Sequence, residues 1–246
     1  MIYFTSSWDD GAIYDIKLSK LLIKHNHSAT FYIPLKNMEN RDVINASQIK
    51  ELSNNFEIGA HTTNHVYLDR ISKEEAKKEI EQSKEELELI ISKPVNGFCF
   101  PGGKFRKAHL NIVFQAGYSY ARTTKMFYTT NKTSLLNTTL QAYDHSRFTY
   151  YKHLLKRINM IGFFEYFMDI LSNSKKQWDN LLRDILEKHL ANDSVDKITI
   201  IHLWGHSWEI EKNNQWSRLE SILELINKLQ IETKTNYEIS KLVSSR

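Results

Sequence analysis

Two adjacent carboxylates in the run Ser7-Trp8-Asp9-Asp10-Gly11, and two imidazoles four residues apart at His61 and His65, are the residues of this chain best suited to chemistry. A catalytic zinc takes three protein ligands and keeps one position open for water. Asp10, His61 and His65 supply three such ligands, which leaves Asp9 beside them to accept a proton from that water. Alone, neither pair says much, because short carboxylates commonly cap helices or close turns. Their setting adds weight. Tyr3–Trp8 is a β-favouring run ended by Gly11, and Glu57–Ala60 reads as a short strand leading into His61. Both pairs therefore follow the C-terminal end of a strand, where α/β barrels place their chemistry. The pattern predicts a metal-dependent hydrolase.

The elements that must hold these residues alternate along the chain. Helices are predicted over Ile13–Lys24, Ser47–Asn54, Ser72–Ile91 and Lys107–Gln115, with strands over Ala29–Ile33, Phe98–Phe100 and Tyr118–Arg122. Ser72 followed by Glu75 is a capping-box signature, and Gly117 stops the helix before it. Residues 125–147 read as loop and short strands. Phe148–Leu190 reads as helical, broken near Ser172-Asn173-Ser174. The β-branched run Lys197–Trp204 is the last strong strand, and Trp216–Gln230 is a final amphipathic helix. This order predicts an α/β fold with a mainly parallel sheet, as one domain over residues 1–246.

Composition narrows the partners. The 246 residues are 41% hydrophobic and 25% charged, an ordinary globular balance, and the net charge of +4 is spread rather than clustered. No basic block or aromatic-basic motif is present, so no nucleic-acid partner is expected. Cys99 is the single cysteine, which excludes an intrachain disulfide. The first residues lack a basic segment followed by an apolar one, so the expectation is a cytoplasmic protein without a signal peptide. Leu154–Leu171 is the most apolar helical stretch, but Lys156, Arg157, Glu165 and Asp169 interrupt it and no membrane span is expected. Oligomeric state is open.

Taken in order, the motifs resemble the polysaccharide deacetylase family (the NodB-homology domain, carbohydrate esterase family four) from about residue 2 to 230. Ser7–Gly11 resembles the first motif, usually Thr-Phe-Asp-Asp-Gly, and Thr30–Pro34 the usual second strand. Gly59–His65 carries the second motif, His-Ser/Thr-x-x-His. Gly97–Gly103 is similar to the third, Arg-x-Pro-Tyr-Gly, but Cys99 and Gly102 stand where arginine and tyrosine are usual. Gly117–Thr124 is similar to the segment that follows, and His206-Ser207-Trp208-Glu209 resembles the histidine-bearing last motif.

The resemblance implies a distorted (β/α) barrel, often of seven strands, that removes an N-acetyl group from an amino sugar or glycan. It implies a divalent metal, with Zn2+ the first choice, although N/O ligands also accept cobalt, nickel or iron. Asp9 would be the general base. The backbone N–H of Gly102 would help hold the oxyanion, with Pro101, Gly102 and Trp208 on the substrate side. His206 is preferred over His202 as general acid: the two share a strand face, but His206 follows Gly205 at the strand end. In the family the arginine absent at Cys99 helps hold the aspartate; Arg122 and Arg147 are the candidates to replace it. Asp144 and Glu209 are candidates to orient the histidine, and His145 to line the cleft. Two other readings stand beside this one: a related amidohydrolase acting on a small cyclic amide or imide, and a glycan-binding protein without turnover.

Overall fold

The computed structural model describes residues 1–39, 41–130, 134–155, 177–191 and 198–244. Within them β1 (Ile2–Asp9) lies at the middle of a parallel sheet, between β2 (Thr30–Ile33) and β8 (Thr199–Gly205). Beyond β2 follow β3 (Glu57–Ala60), β4 (Gly97–Cys99), β5 (Tyr120–Arg122) and β6 (Leu135–Leu136); beyond β8 lies β7 (Leu140–Gln141). The two edge strands, β6 and β7, are consecutive in the chain. Residues 137–139 alone join them, and four backbone steps reach at most about 14 Å. The edges must therefore approach one another, so the sheet curls into a barrel. The Thr139 N–H extends the β7–β8 pairing by donating to the His202 carbonyl at 2.8 Å.

Eight strands lie on this path and β9 (Glu232–Thr233) pairs with β1 as a ninth, against the seven the resemblance implies. The strands that the sequence pattern does not mark are β6, β7 and β9, each two residues long and without a pattern of its own.

Helices cover the outside: α1 (Asp15–Lys24), α2 (Ala46–Leu52), α3 (Lys73–Ile91), α4 (Lys107–Gln115), α5 (Arg147–Leu155), α6 (Trp178–Ala191), α7 (Ser207–Lys212) and α8 (Trp216–Lys228). The predicted capping box starts α3, with the Ser72 hydroxyl and the Glu75 carboxylate each accepting the other's backbone N–H. Ser92 in the left-handed region ends that helix two residues before Pro94. Most of Leu154–Leu171, the break at Ser172-Asn173-Ser174, and Lys197 lie outside the described residues. Among those described, no helix is long and apolar enough to cross a membrane.

Alternation along β8 shows how the strands serve two layers. Ile201 and Leu203 face the helices in the main apolar core, whereas Ile200 belongs to a second cluster with Tyr32, Cys99, Tyr120 and Leu136. A last helix, α9 (Asn236–Ser244), adds Ile239 to that second cluster. Its Asn236 accepts from the Thr5 hydroxyl and donates to the Tyr32 hydroxyl, both at 2.9 Å. With β1 filled below by these contacts, the residues that follow its C-terminal end face an open mouth.

Candidate active site

Strand β1 delivers Asp9 as its last residue, and the chain turns at Asp10 with φ 78°. Thr62 and His65, just past β3, also lie in the left-handed region with φ of 62° and 56°. For residues other than glycine such backbone costs about 1–3 kcal/mol each and persists where surroundings impose it. Three such residues meet here. They aim Asp10, His61 and His65 at one another, so that one potential ligand atom from each lies within 4.8 Å of the others.

The hydrogen bonds sort these atoms. His61 Nδ1 lies 2.8 Å from the Cys99 carbonyl, which can only accept, so the proton is on Nδ1 and the Nε2 lone pair faces Asp10. Burial lowers the His61 pKa to about 4, which keeps the ring neutral as a ligand must be. Asp10 divides its oxygens: Oδ1 is 3.0 Å from His65 Nε2, while Oδ2 accepts from Arg41 at 2.8 Å and from the Trp208 indole N–H at 3.0 Å. Burial alone would raise the Asp10 pKa; the charge of His206 and a hydrogen bond to His65 hold it far below the usual carboxylate range. One carboxylate oxygen and two imidazole nitrogens thus fit a divalent cation, with the other carboxylate oxygen fixed by two donors.

Asp9 is buried on the other side of the turn. Its Oδ1 accepts from Arg122, which is completely buried, and Cys99 Sγ lies 3.7 Å from Oδ2. Of the two arginines considered as holders of Asp9, Arg122 is the one in contact; Arg147 heads α5 and is not among the residues lining the cavity. Cys99 is a buried thiol whose pKa burial pushes up, the opposite of a reactive thiolate.

His206 follows β8 and caps α7. Its Nδ1 is 2.7 Å from Glu209 and its Nε2 3.9 Å from Asp10. Burial works against the imidazolium, but Asp10 and the Glu209 hydrogen bond raise its pKa to about 9. His202 is different: it sits within β8, 1% exposed, with Nε2 2.9 Å from the Ser7 hydroxyl and its pKa lowered by burial and by Arg122. Asp144 is engaged elsewhere, with Arg218 at 2.7 and 2.8 Å, and His145 binds Gln141, which in turn donates to Glu209.

A cavity of about 250 Å³ opens onto Asp9, Asp10, His61, His65, Gly102 and His206, with Trp208 in its wall. Pro101 is buried beneath it and does not line it. Trp208 has little free face: the Arg41 guanidinium is 3.9 Å from the ring centroid, and the His206 ring is 5.3 Å away. Stacking a sugar on that indole would require Arg41 to leave. Among the lining residues with no counterpart in the sequence reading are Glu39, Arg41 and Tyr67. They come from the loops after β2 and β3. The Tyr67 hydroxyl donates to Glu39 at 3.0 Å, and Glu39 pairs with Arg41 at 2.9 Å.

A parallel barrel with titratable groups gathered at the C-terminal ends of its strands is the arrangement in which α/β barrels place their sites. The family model described as polysaccharide deacetylase matches residues 2–121, just under half of the chain. The chain is similar to a family 4 acetyl xylan esterase from Clostridium thermocellum in complex with a cobalt ion: 14% identity, 98% of this chain and 91% of that one, TM-score 0.57. It is similar to a CE4 family pseudoenzyme from Bacillus anthracis, at 16% identity over 97% of this chain and 64% of that one, TM-score 0.57. A Streptococcus pyogenes deacetylase, PplD, in complex with acetate aligns at 23% identity, with 53% of this chain covering 61% of that one, TM-score 0.49. The chain thus spans less than two thirds of that relative's length. No curated protein matches the sequence.

Proposed function

We propose that the chain is a metal-dependent hydrolase that removes the N-acetyl group of an amino sugar or glycan. The observation that carries this reading is the convergence of Asp10, His61 and His65 within 4.8 Å, with Asp9 on one side and His206 on the other. The match of residues 2–121 to the polysaccharide deacetylase family model supports the substrate class.

Asp10, His61 and His65 would hold the cation, zinc by first choice. When bound, it would polarise the acetyl carbonyl and make water acidic enough to attack near neutral pH. The remaining work belongs to the chain. Asp9 takes the proton of the attacking water, its orientation fixed by the bond to Arg122. His206 carries the opposite duty. An amine leaves only when protonated, and Glu209 holds Nδ1 so that Nε2 faces the cavity with its proton. The Gly102 N–H, on backbone with φ 59°, would donate to the developing oxyanion.

The test is metal analysis of the purified protein together with acetate release from N-acetylglucosamine and its oligomers. The expected result is a bound divalent ion and acetate release that stops when the ion is chelated and returns when it is restored. Undiminished release after complete metal removal, or after Asp10→Ala, would falsify the reading. Binding of those sugars without any turnover would favour the non-catalytic alternative.

A further inference from the structure

Arg41 bridges two carboxylates in the cavity wall. One end of its guanidinium donates to Asp10 Oδ2 at 2.8 Å, and the other lies 2.9 Å from Glu39 Oε2. The guanidinium carbon lies over the Trp208 ring, 3.9 Å from its centroid. The Tyr67 hydroxyl donates to the second Glu39 oxygen at 3.0 Å. Donors from the loops after β2 and β3 thus converge on one carboxylate, and all three residues line the cavity.

The carboxylates of the lining are held unequally. Asp9 and Asp10 are 2% and 3% exposed. The Glu39 side chain is 34% exposed, and an ion pair that open contributes little, because water competes for both partners. Arg41 has two further anchors, Asp10 and Trp208, that do not depend on Glu39. Departure of Glu39 would therefore leave one edge of a fixed guanidinium facing the cavity beside the Tyr67 hydroxyl. Two such donors suit the oxygens of a carboxylate or a phosphate. A neutral group in the same place would leave that edge without a counter-charge. A cation held at Asp10 would sharpen the demand, by taking up negative charge that Arg41 otherwise shares.

We propose that Arg41 and Tyr67 form an anion subsite, filled by Glu39 in the free protein, and that the substrate is an N-acetylated sugar whose carboxylate or phosphate displaces Glu39. This deepens the functional reading above and rests on it. Because one guanidinium joins the subsite to Asp10, the anionic group belongs on a ring position next to the acetamido group. Arg41 stays on the Trp208 indole throughout, so that ring serves as the seat of the guanidinium and not as a platform for the sugar.

The experiment measures acetate release by the zinc-loaded protein from three probes that share the acetamido group. They are N-acetylglucosamine 1-phosphate, N-acetylmuramic acid and the uncharged methyl N-acetylglucosaminide. The parent is expected to show a kcat/KM at least about tenfold higher for an anionic sugar than for the neutral one, and the better of the two anions tells phosphate from carboxylate. Arg41→Gln should cut that preference to within about threefold, and Glu39→Gln, which removes the competing carboxylate, should raise it by about threefold or more. Adding Tyr67→Phe to Glu39→Gln changes no charge and should give back part of the gain. A smaller preference in the parent, a preference that survives Arg41→Gln, or a fall in Glu39→Gln would overturn the proposal. Should Arg41→Gln lose its metal or fold poorly, Glu39→Gln decides alone, since Glu39 meets Arg41 and Tyr67 rather than the ligand set. Should no probe release acetate, the functional reading fails, and calorimetry on the metal-free protein judges the subsite. Binding of an anionic sugar about tenfold tighter than the neutral one, lost in Arg41→Gln, supports it, and equal affinity rejects it.

Discussion

Glu209 stands one helical turn beyond His206 and places Oε2 2.7 Å from its Nδ1, which turns Nε2 toward Asp10 at 3.9 Å. Gln141 holds the same Glu209 oxygen at 3.1 Å. The imidazole is thus gripped at one nitrogen and presented at the other. Because its pKa is raised to about 9, the proton stays on through neutral pH. The sign for stability follows: a raised folded pKa stabilises the fold below the unfolded value near 6.5, and that contribution disappears as pH climbs through 9. In the metal-free protein, nuclear magnetic resonance titration of the His206 ring should give a midpoint well above 6.5. Glu209→Gln should lower that midpoint and reduce kcat by about tenfold or more with KM little changed. An unshifted midpoint in Glu209→Gln would show that the carboxylate does not hold the ring.

The ligand set makes a separable prediction. Asp10→Ala, His61→Ala and His65→Ala each remove one of three ligand atoms and should leave the purified protein without its stoichiometric ion. Asp9→Asn should retain the ion and lose turnover. Trp208→Phe keeps the ring but removes the N–H that fixes Asp10 Oδ2, and should weaken metal binding by about 10–100-fold. Metal content and dissociation constants check all five. Retention of the ion in the three alanine variants would place the metal elsewhere.

Asp15 gives a pH dependence independent of catalysis. This buried carboxyl at the start of α1 bonds the hydroxyl of Ser207, the residue after His206, at 2.5 Å, and its other oxygen has no hydrogen-bond partner. Burial raises its pKa from 3.8 to about 8. The folded state therefore holds a proton that the unfolded chain has already lost, so this group makes stability fall as pH rises from about 4 to about 8. Asp15→Asn keeps the shape and removes the charge. Thermal unfolding across that range should show a flatter pH slope in the variant, and greater stability than the parent at pH 8, by on the order of 1 kcal/mol. Equal slopes would mean that Asp15 is ionised in the fold.

How much of this was legible in the sequence depends on distance along the chain. Asp9, Asp10, His61 and His65 sit at fixed offsets from short strands, so local pattern was enough to bring them together. The Ser72–Glu75 cap was equally local. Arg122 was one of two candidates, and the choice needed the β4–β5 register that sets it opposite Cys99. Glu39, Arg41 and Tyr67 were missed because they reach the site from loops, where no periodicity marks an inward residue. The two-residue strands β6, β7 and β9 exist through pairing with distant segments, and α9 was missed with them. Trp208 was placed on the substrate side; the contacts of Arg41 and His206 with its ring are invisible without coordinates.

Gly102 and Tyr67 supply the last prediction. A side chain at position 102 faces two obstacles of different origin. The backbone is left-handed, with φ 59°, which disfavours any residue carrying a Cβ by about 1–2 kcal/mol. The Cβ itself would come within 2.3 Å of Tyr67 Cε1, a contact that forces the ring away. Tyr67 in turn is tied by its hydroxyl to Glu39, and through it to Arg41, so displacement would spread along the cavity rim. Gly102→Ala should therefore lower both the unfolding midpoint and kcat. Adding Tyr67→Ala removes the clash but leaves the backbone cost, so the double variant should recover part of the stability and not all of it. Full recovery would assign the whole penalty to the ring. No recovery would assign it to the backbone, and would leave Tyr67 without a part in shaping the Gly102 peptide.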